Sequence, residues 1–313
     1  MTLPKEWVDS SKLKDKDVVD VFYQKDGKLV IEPTSGHSRE KIPLVKIAGE
    51  TIEADTEQQI FSHYIAGSSQ IKIEFPKASY LAKRRIRKIA AKMIGFDCVE
   101  EDGRGTITLK SVIEESKIDV VDRVIRMVDV TRSMFEDTAL YIKENLRDLA
   151  IDVIDRDDEV DKLYLSIQRA FGSYIKSMVN TKVDLSLADF HCFEIISIKV
   201  EKMADCIVRL ARYYLICKGG RVKLSKNDQK NFEEILKKFS LLKDEVENLD
   251  VEKAKEFLAW HQANEKVKLR NMLVPGSYFQ LVLNEGFSRI TGYMASIADE
   301  IRTINYAYSS QRL

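Results

Sequence analysis

The sequence predicts an α+β protein that is mainly α-helical, with its β structure confined to the first third of the chain. After about residue 119, apolar residues recur with the 3.6-residue period of a helix over long stretches. Before that point, β-branched and aromatic runs alternate with helical patterns. The composition agrees, because 44% apolar and 32% charged residues with only 5 Pro and 13 Gly are typical of long amphipathic helices.

Length, charge and cysteine content limit the organisation and the partners of the chain. At 313 residues it is longer than one usual domain, so two or three domains are expected. Lys+Arg and Asp+Glu both number 50, so no overall basic field attracts nucleic acid or a membrane. The four cysteines lack C-x-x-C spacing, which favours a reducing cytoplasm. No apolar run reaches the roughly 20 residues of a membrane span, so membrane insertion is not expected.

Residues 1–36 are predicted to form a β-hairpin. Two runs rich in β-branched and aromatic residues, 18–23 and 29–31, flank Asp26-Gly27, a pair typical of tight hairpin turns. Two strands cannot cover their own apolar face in water. The hairpin is therefore expected to pack against another chain.

Residues 37–118 are predicted to form a small α+β domain. The expected elements are a helix over 55–66, a strand over 70–75, a helix over 78–94, and a hairpin over 97–109 that turns at Asp102-Gly103. The second helix carries six cations: Lys83, Arg84, Arg85, Arg87, Lys88 and Lys92. A solvated basic face is the first interpretation of this helix, and a nucleic-acid contact is the alternative.

Residues 119–313 are predicted to form a six-helix bundle. Breaks at residues 180–182, at Gly219-Gly220 and at Pro275-Gly276 separate the helical patterns. Long helices joined by short loops favour antiparallel packing. Similar spacings in the two halves suggest two three-helix repeats, 119–218 and 219–313. The predicted helices span 119–147, 149–179, 184–217, 226–247, 250–272 and 277–307.

Two pairs of carboxylates stand out in the first half of the bundle: Asp157 with Asp161, and Glu201 with Asp205. Residues four apart on a helix lie about 40° apart, so each pair shares one face. If the two helices fold back between residues 180 and 184, Asp161 is level with Glu201, and Asp157 with Asp205. Both combinations have their midpoint at residue 181. The hairpin is therefore expected to gather all four carboxylates.

Four neighbouring negative charges repel one another, and a bound cation would relieve that repulsion. Oxygen-rich ligand sets suit Fe, Mn, Mg or Ca better than Zn. The alternative is a salt-bridge network in which Lys202 and Arg209 neutralise the cluster. In the second half of the bundle, His261 and Glu265 would face only a serine and a glycine. A single metal site per chain is therefore predicted, with a degenerate second repeat.

The segments Asp157-x-x-x-Asp161 and Glu201-Lys202-Met203-Ala204-Asp205 resemble the E(D)-x-x-x-D motif of the PhoU family, and the likeness covers about residues 119–313. The resemblance, which is to the archaeal type, implies a cytoplasmic, non-enzymatic regulator of phosphate uptake and phosphate homeostasis. It also implies that Asp157, Asp161, Glu201 and Asp205 hold divalent or trivalent metal ions, such as an iron or other transition-metal cluster. A phosphate-transporter ATPase or a signalling protein would be its partner.

The opening Leu3-Pro4-Lys5-x-Trp7 and the hairpin that follows resemble a swapped-hairpin DNA-binding domain of the AbrB/SpoVT type. Such domains have a strand before Leu-Pro-Lys, and that first strand is expected to be missing here. The resemblance implies a homodimer that binds DNA and regulates transcription. Candidate contacts to DNA phosphates are Lys5, Lys12, Lys14 and Lys16.

Three functions stay open on the sequence alone. The first is a DNA-binding regulator with a metal-binding helical bundle. The second is a scaffold without DNA binding that couples a phosphate transporter to a signalling partner. The third is a metal-dependent hydrolase, which is disfavoured because the sequence has no Ser/His/Asp set, no H-E-x-x-H motif and no Gly-rich phosphate loop. No enzymatic activity is therefore expected.

Overall fold

The computed structural model describes residues 2–23, 29–33, 42–47, 52–75, 80–102, 105–113, 119–176, 186–217, 224–272 and 278–308. These residues cluster in two compact units. An α+β unit comprises the described residues within Met1–Ala90, Gly95–Ser116 and Gly172–Val183. A helical unit comprises those within Ala91–Ile94, Lys117–Phe171 and Asp184–Leu313.

The N-terminal part contains the predicted hairpin and a short helix that was not predicted. Helix α1 is Lys5–Ser10, strand β1 is Val19–Tyr23 and strand β2 is Leu29–Pro33. The strands are antiparallel, with Val19 opposite Pro33 and Tyr23 opposite Leu29. The carbonyl of Pro4 accepts hydrogen bonds from the N–H groups of Trp7 and Val8, so Pro4 is the residue that precedes the first turn of α1. The Asp26-Gly27 turn lies outside the described residues.

The remaining elements of the α+β unit follow the predicted order, with one additional strand. They are β3 Leu44–Lys46, α2 Ala54–Ile65, β4 Gln70–Glu74, α3 Tyr80–Ala90, β5 Phe96–Asp102 and β6 Thr106–Ser111. The sheet order is β3-β4-β6-β5, with β3 parallel to β4 and the other neighbours antiparallel. Alternate strand residues such as Ile71, Ile73 and Ile107 are fully buried, as the two-residue period of a strand requires.

Helix α3 ends earlier than predicted, at Ala90 instead of residue 94. Gly95, immediately before β5, has a φ of 82°, which lies in the left-handed region that favours glycine. The preceding residues form a turn that leads directly into β5. The predicted turn at Asp102-Gly103 cannot be followed, because Gly103 lies outside the described residues.

The six predicted helices of the bundle are confirmed, and the described ends lie within three residues of the predicted ones. They are α4 Val120–Glu144, α5 Arg147–Lys176, α6 Leu187–Ile216, α7 Lys226–Asn248, α8 Val251–Met272 and α9 Tyr278–Tyr308. Asp119, Ser186 and Ser225 cap α4, α6 and α7 by accepting a backbone N–H with their side chains. The breaks predicted at Gly219-Gly220 and Pro275-Gly276 lie outside the described residues.

The core of the helical unit contains a cluster of aromatic rings from three helices. Phe135 of α4 lies 5.0 Å from Phe232 and 5.6 Å from Phe239 of α7, between ring centroids. Phe287 of α9 lies edge-on to Phe232 at 4.7 Å. Full burial of each such side chain contributes roughly 1.5–3 kcal/mol to stability. No described helix combines the length and the apolar character that a membrane span requires.

The two halves of the bundle share one local structure. Asn145 ends α4 and Leu249 ends α7, both in the left-handed conformation. In each half, the third helix donates a hydrogen bond to the residue that ends the first helix. The Tyr214 hydroxyl of α6 donates to Asn145 Oδ1 at 2.6 Å. Asn305 Nδ2 of α9 donates to the Leu249 carbonyl at 2.9 Å. This correspondence supports an internal repeat, although the boundary between residues 218 and 219 stays a prediction.

Candidate functional site

Two contacts between α5 and α6 fix the register of these helices. Gln168 Nε2 donates a hydrogen bond to Glu194 Oε1 at 2.7 Å. The ring of Phe171 stacks on that of His191, with 5.9 Å between the centroids. Both pairs have their midpoint at residue 181, so the helices are antiparallel about the position that the sequence predicts.

The same register places the four predicted carboxylates at two neighbouring levels of the α5–α6 pair. Asp161 and Glu201 share one level, and Asp157 and Asp205 share the next. Asp157, Asp161 and Glu201 are half-buried, whereas Asp205 is exposed. Asp157 lies within electrostatic range of the three others. We call these four residues the carboxylate cluster.

The carboxylate cluster is electrostatically unfavourable when its members are ionised. Burial, together with the charges of Asp161, Asp205 and Glu201, raises the pKa of Asp157 to about 6. Burial also raises the pKa values of Asp161 and Glu201, and neighbouring carboxylates add to both shifts. Positive charge at this position would therefore stabilise the folded chain.

Two lysines supply part of that charge. Lys202 Nζ lies 3.1 Å from Glu201 Oε2 and 3.0 Å from Asp205 Oδ2. Lys92 is one of the four residues 91–94 that cluster with the helical unit. Its Nζ lies 3.0 Å from Asp158 Oδ1 and 3.9 Å from Asp161 Oδ2.

The prediction that Lys202 neutralises carboxylates of the cluster agrees with these distances, but the same prediction for Arg209 is wrong. Arg209 instead forms an ion pair with Glu285 of α9 at 2.8 Å. Arg209 lies one helical turn beyond Asp205, where Glu285 of α9 offers its guanidinium a carboxylate at hydrogen-bond distance. Lys92 was not predicted to approach the cluster, since only its place in a basic run distinguished it.

The chemistry of the carboxylate cluster fits a hard cation, because all four side chains supply oxygen ligands. Across the part of the chain that the structure describes, no three or more His, Cys, Asp or Glu side chains are arranged to hold one metal ion. Lys202 lies between Glu201 and Asp205, where a shared cation would have to bind. A metal ion would therefore require movement of this side chain.

The corresponding positions of the second half carry no comparable set of ligands. His261 stacks on Phe257 of its own helix, with 6.3 Å between the ring centroids. At Gly292, a Cβ atom would meet nothing within 4 Å. The side chain of Glu265 lies outside the described residues. The single metal site per chain stays a prediction.

The four candidate DNA contacts, Lys5, Lys12, Lys14 and Lys16, are all exposed. They lie on α1 and on the segment between α1 and β1. Residues 2–23 also contain five carboxylates, so this segment has no net positive charge. Charge alone therefore does not indicate a DNA-binding surface here.

The basic helix α3 is partly neutralised by two carboxylates of its own unit. Lys83 and Arg87 both pair with Glu101 at 2.6 Å, and Arg85 pairs with Glu57. These contacts favour the solvated-face interpretation. Arg84 and Lys88 are exposed on the same helix.

Comparisons with known proteins agree with both sequence resemblances. Residues 124–214 match the family model of the PhoU domain, and this segment contains the whole carboxylate cluster. Residues 1–38 match the model described as antidote-toxin recognition MazE, bacterial antitoxin. The crystal structure of PhoU from Pseudomonas aeruginosa superposes with a TM-score of 0.52 and 14% identity, over 60% of this chain and 96% of that chain. No curated protein matches the chain. The structural likeness confirms the predicted helical fold.

Proposed function

We propose that this protein regulates phosphate uptake and phosphate homeostasis, with the α5–α6 helix pair as its metal-binding sensor. The observation that carries the proposal is the position of the carboxylate cluster. All four side chains fall within the segment that matches the PhoU domain, on two antiparallel helices and at two adjacent levels.

Asp157 and Asp161 of α5 and Glu201 and Asp205 of α6 would hold the metal. A bound divalent or trivalent ion, alone or in an iron or other transition-metal cluster, would supply the positive charge that these helices lack. Burial and mutual repulsion disfavour the ionised cluster, and charge compensation would favour closer association of α5 with α6. We assign the site no catalytic role.

The N-terminal segment would make the protein a homodimer that contacts DNA. One face of the hairpin contains Val21, Tyr23 and Leu29, whose side chains are 43%, 83% and 42% exposed. An apolar strand face of this kind favours pairing with a second copy. Exposed Lys5, Lys12, Lys14 and Lys16 would then contact the phosphates.

A scaffold without DNA binding is the second candidate function. The charge balance of residues 2–23, with four lysines and five carboxylates, favours it. In this case the bundle would couple a phosphate transporter to a signalling protein, and the hairpin would only join two copies.

Titration of the purified protein with Mn²⁺, followed by calorimetry, tests the metal site. Asp157→Asn and Asp205→Asn are expected to weaken binding at least ten-fold, because each removes one charged ligand. Asp155→Asn changes an exposed carboxylate of the same helix and should leave the affinity unchanged. Equal affinity in all four proteins would exclude the carboxylate cluster as the metal site.

Phosphate uptake in cells that lack the protein tests the regulatory role. Uptake under phosphate sufficiency is expected to change in such cells and to return to its normal level with the wild-type chain. Cells supplied with Asp157→Asn should resemble cells without the protein. Normal uptake in the deletion strain would contradict the proposed role.

A further inference from the structure

We infer that the exposed side of α3 is a docking surface for an acidic amphipathic helix of a partner protein. We call this surface, which consists of Tyr80, Leu81, Arg84 and Lys88, the α3 face. It lies within the α+β unit and shares no residue with the carboxylate cluster. The proposed function names a protein partner, and the α3 face is where such a partner would bind.

The α3 face keeps positive charge that its own unit does not neutralise. Helix α3 contains five cations and no carboxylate. Glu101 and Glu57 together pair with three of these cations. Among the described residues, no carboxylate forms an ion pair with Arg84 or Lys88. Five cations against two carboxylates leave a surplus of three positive charges on this helix.

The side chains of the α3 face follow the helical period. Tyr80, Arg84 and Lys88 are spaced four residues apart, so they form one row about 12 Å long on the helix surface. Leu81 lies beside the start of this row. Tyr80 and Leu81 are 70% and 57% exposed, and both cations are exposed as well. One end of the α3 face is therefore apolar and the other end is basic.

This arrangement is complementary to a second helix. Carboxylates four residues apart on a helix are separated by about 6 Å along its axis, which is the separation of Arg84 and Lys88. A partner helix with such a pair next to an apolar residue would neutralise both cations and cover Leu81 at the same time. Complementary charges would also fix the register of the two helices.

Two other classes of partner fit the α3 face less well. Insertion into a membrane surface needs a free apolar helix face, but Ile86 and Ile89 of α3 are buried in their own unit. A nucleic acid would neutralise the cations but would gain nothing from Leu81, because phosphates offer no apolar surface. Two or three phosphate contacts also bind weakly at physiological salt. The combination of apolar and basic groups therefore favours a protein.

Fluorescence anisotropy with a labelled helical peptide tests the docking surface in the full-length chain. The probe has about 16 residues, with Glu at every fourth position beside a row of Leu. We expect it to bind, and an analogue with Gln in place of Glu to bind at least about five times more weakly. Arg84→Gln/Lys88→Gln should weaken binding by a similar factor at low salt and by less at high salt. Leu81→Ser should weaken binding at least about three-fold at both salt concentrations.

Lys46→Gln/Lys110→Gln is the matched control, because it also removes two cations from exposed positions of the same unit. These lysines belong to β3 and β6 and follow the buried residues Val45 and Leu109, so they point away from the core. The control variant should bind the peptide as tightly as the wild type. Far-UV circular dichroism should show the same helix content in every variant, since all the changed residues are exposed.

Several outcomes would overturn the docking surface. One is a wild-type chain that does not bind the peptide, and another is equal weakening in the control variant, which would show that binding follows net charge alone. Unchanged binding by Leu81→Ser would remove the apolar anchor. Tighter binding of a single-stranded oligonucleotide or of phosphatidylserine vesicles, lost in Arg84→Gln/Lys88→Gln, would assign the α3 face to a nucleic acid or a membrane. None of these results depends on Mn²⁺ binding or phosphate uptake, so the docking surface and the proposed function fail separately.

Discussion

Glu245 is a buried carboxylate at the C-terminal end of α7. Its side chain is 1% exposed, and within the described residues its Oε2 atom has no hydrogen-bond partner. Burial raises the pKa of this carboxyl to about 7, although the charge of Lys238 opposes the shift. The negative end of the helix dipole also disfavours a carboxylate here. Glu245 therefore destabilises the fold at neutral pH.

The raised pKa of Glu245 predicts how stability depends on pH. Well below pH 4.5, the carboxyl is protonated in both the folded and the unfolded state and does not affect stability. As the pH rises toward 7, the carboxyl of Glu245 loses its proton more readily in the unfolded chain than in the folded chain. The free energy of unfolding therefore falls, by roughly 3 kcal/mol at most. Glu245→Gln should remove this part of the pH dependence and stabilise the chain at pH 8 by about 1–3 kcal/mol.

Urea unfolding of both proteins at pH 5 and pH 8 measures the effect of Glu245. Glu247→Gln, an exposed carboxylate of the same helix, is the control and should follow the wild type. A Glu245→Gln variant that loses as much stability between pH 5 and pH 8 as the wild type would contradict the assignment.

Two helical glycines should respond in opposite ways to alanine. At Gly172, a Cβ atom would lie 2.1 Å from the carbonyl oxygen of Ile65, a residue of the same unit. At Gly292, a Cβ atom would meet nothing within 4 Å. Gly172→Ala should therefore destabilise the chain by about 1–3 kcal/mol through overpacking. Gly292→Ala should stabilise it by about 0.5–1 kcal/mol, since alanine favours a helix interior. Chemical unfolding of both variants tests the pair, and a shared sign would contradict the prediction.

At the residue scale, the sequence predicted the relations between residues of one helical hairpin. The levels of the carboxylate cluster depend only on helix period and on the turn position, both of which are local properties. The approach of Lys92 to Asp161 depends on how a turn after α3 packs, and no local pattern encodes it. The partner of Arg209 was missed for the same reason, because Glu285 belongs to a helix much later in the chain.

At the scale of helices and strands, the length of an element determined whether the sequence could predict it. Helices α4 to α9 have at least 22 residues each, so several turns of apolar periodicity define them. Helix α1 has six residues and strand β3 has three, which is too short for any period to appear. Strand β3 exists because β4 provides a neighbour for pairing, with Val45 opposite Ile73. Tertiary pairing of this kind is not visible in a three-residue run.

The β1–β2 hairpin carries the prediction of a dimer. Val21 lies opposite Ile31 in the middle of the apolar face and is 43% exposed. Val21→Glu would place a charge against the second copy and is expected to convert a dimer into a monomer, because a buried unpaired carboxylate is costly. Light scattering coupled to gel filtration measures the mass, and far-UV circular dichroism should show unchanged helix content.

Val112→Glu is the matched control for the hairpin. Val112 follows β6 in the other sheet and is 61% exposed, so the same substitution should leave the dimer intact. A dimer that persists in Val21→Glu would show that the hairpin face is not the contact between copies.

At the scale of the whole molecule, the distribution of positive charge bears on whether the protein is a DNA-binding regulator or a scaffold without DNA binding. The chain has 50 cations and 50 carboxylates, so any DNA affinity must come from a local surface. Two such surfaces are available within the described residues: the four N-terminal lysines, and Arg84 with Lys88 on α3. They differ in the number of phosphates that they could neutralise.

The salt dependence of DNA binding therefore identifies the surface that is used. Four lysine–phosphate contacts per chain predict that log K falls with log salt concentration at a slope of about −3.6, or about −7 for a dimer. Fluorescence anisotropy with the DNA upstream of the protein's own gene measures this slope. Replacing Lys5, Lys12, Lys14 and Lys16 together by Gln should abolish it, whereas Arg84→Gln with Lys88→Gln should leave it unchanged. The reverse result would move the contact to α3. Absence of binding by the wild type at low salt would favour the scaffold, because counter-ion release is then greatest and even four contacts would be detected.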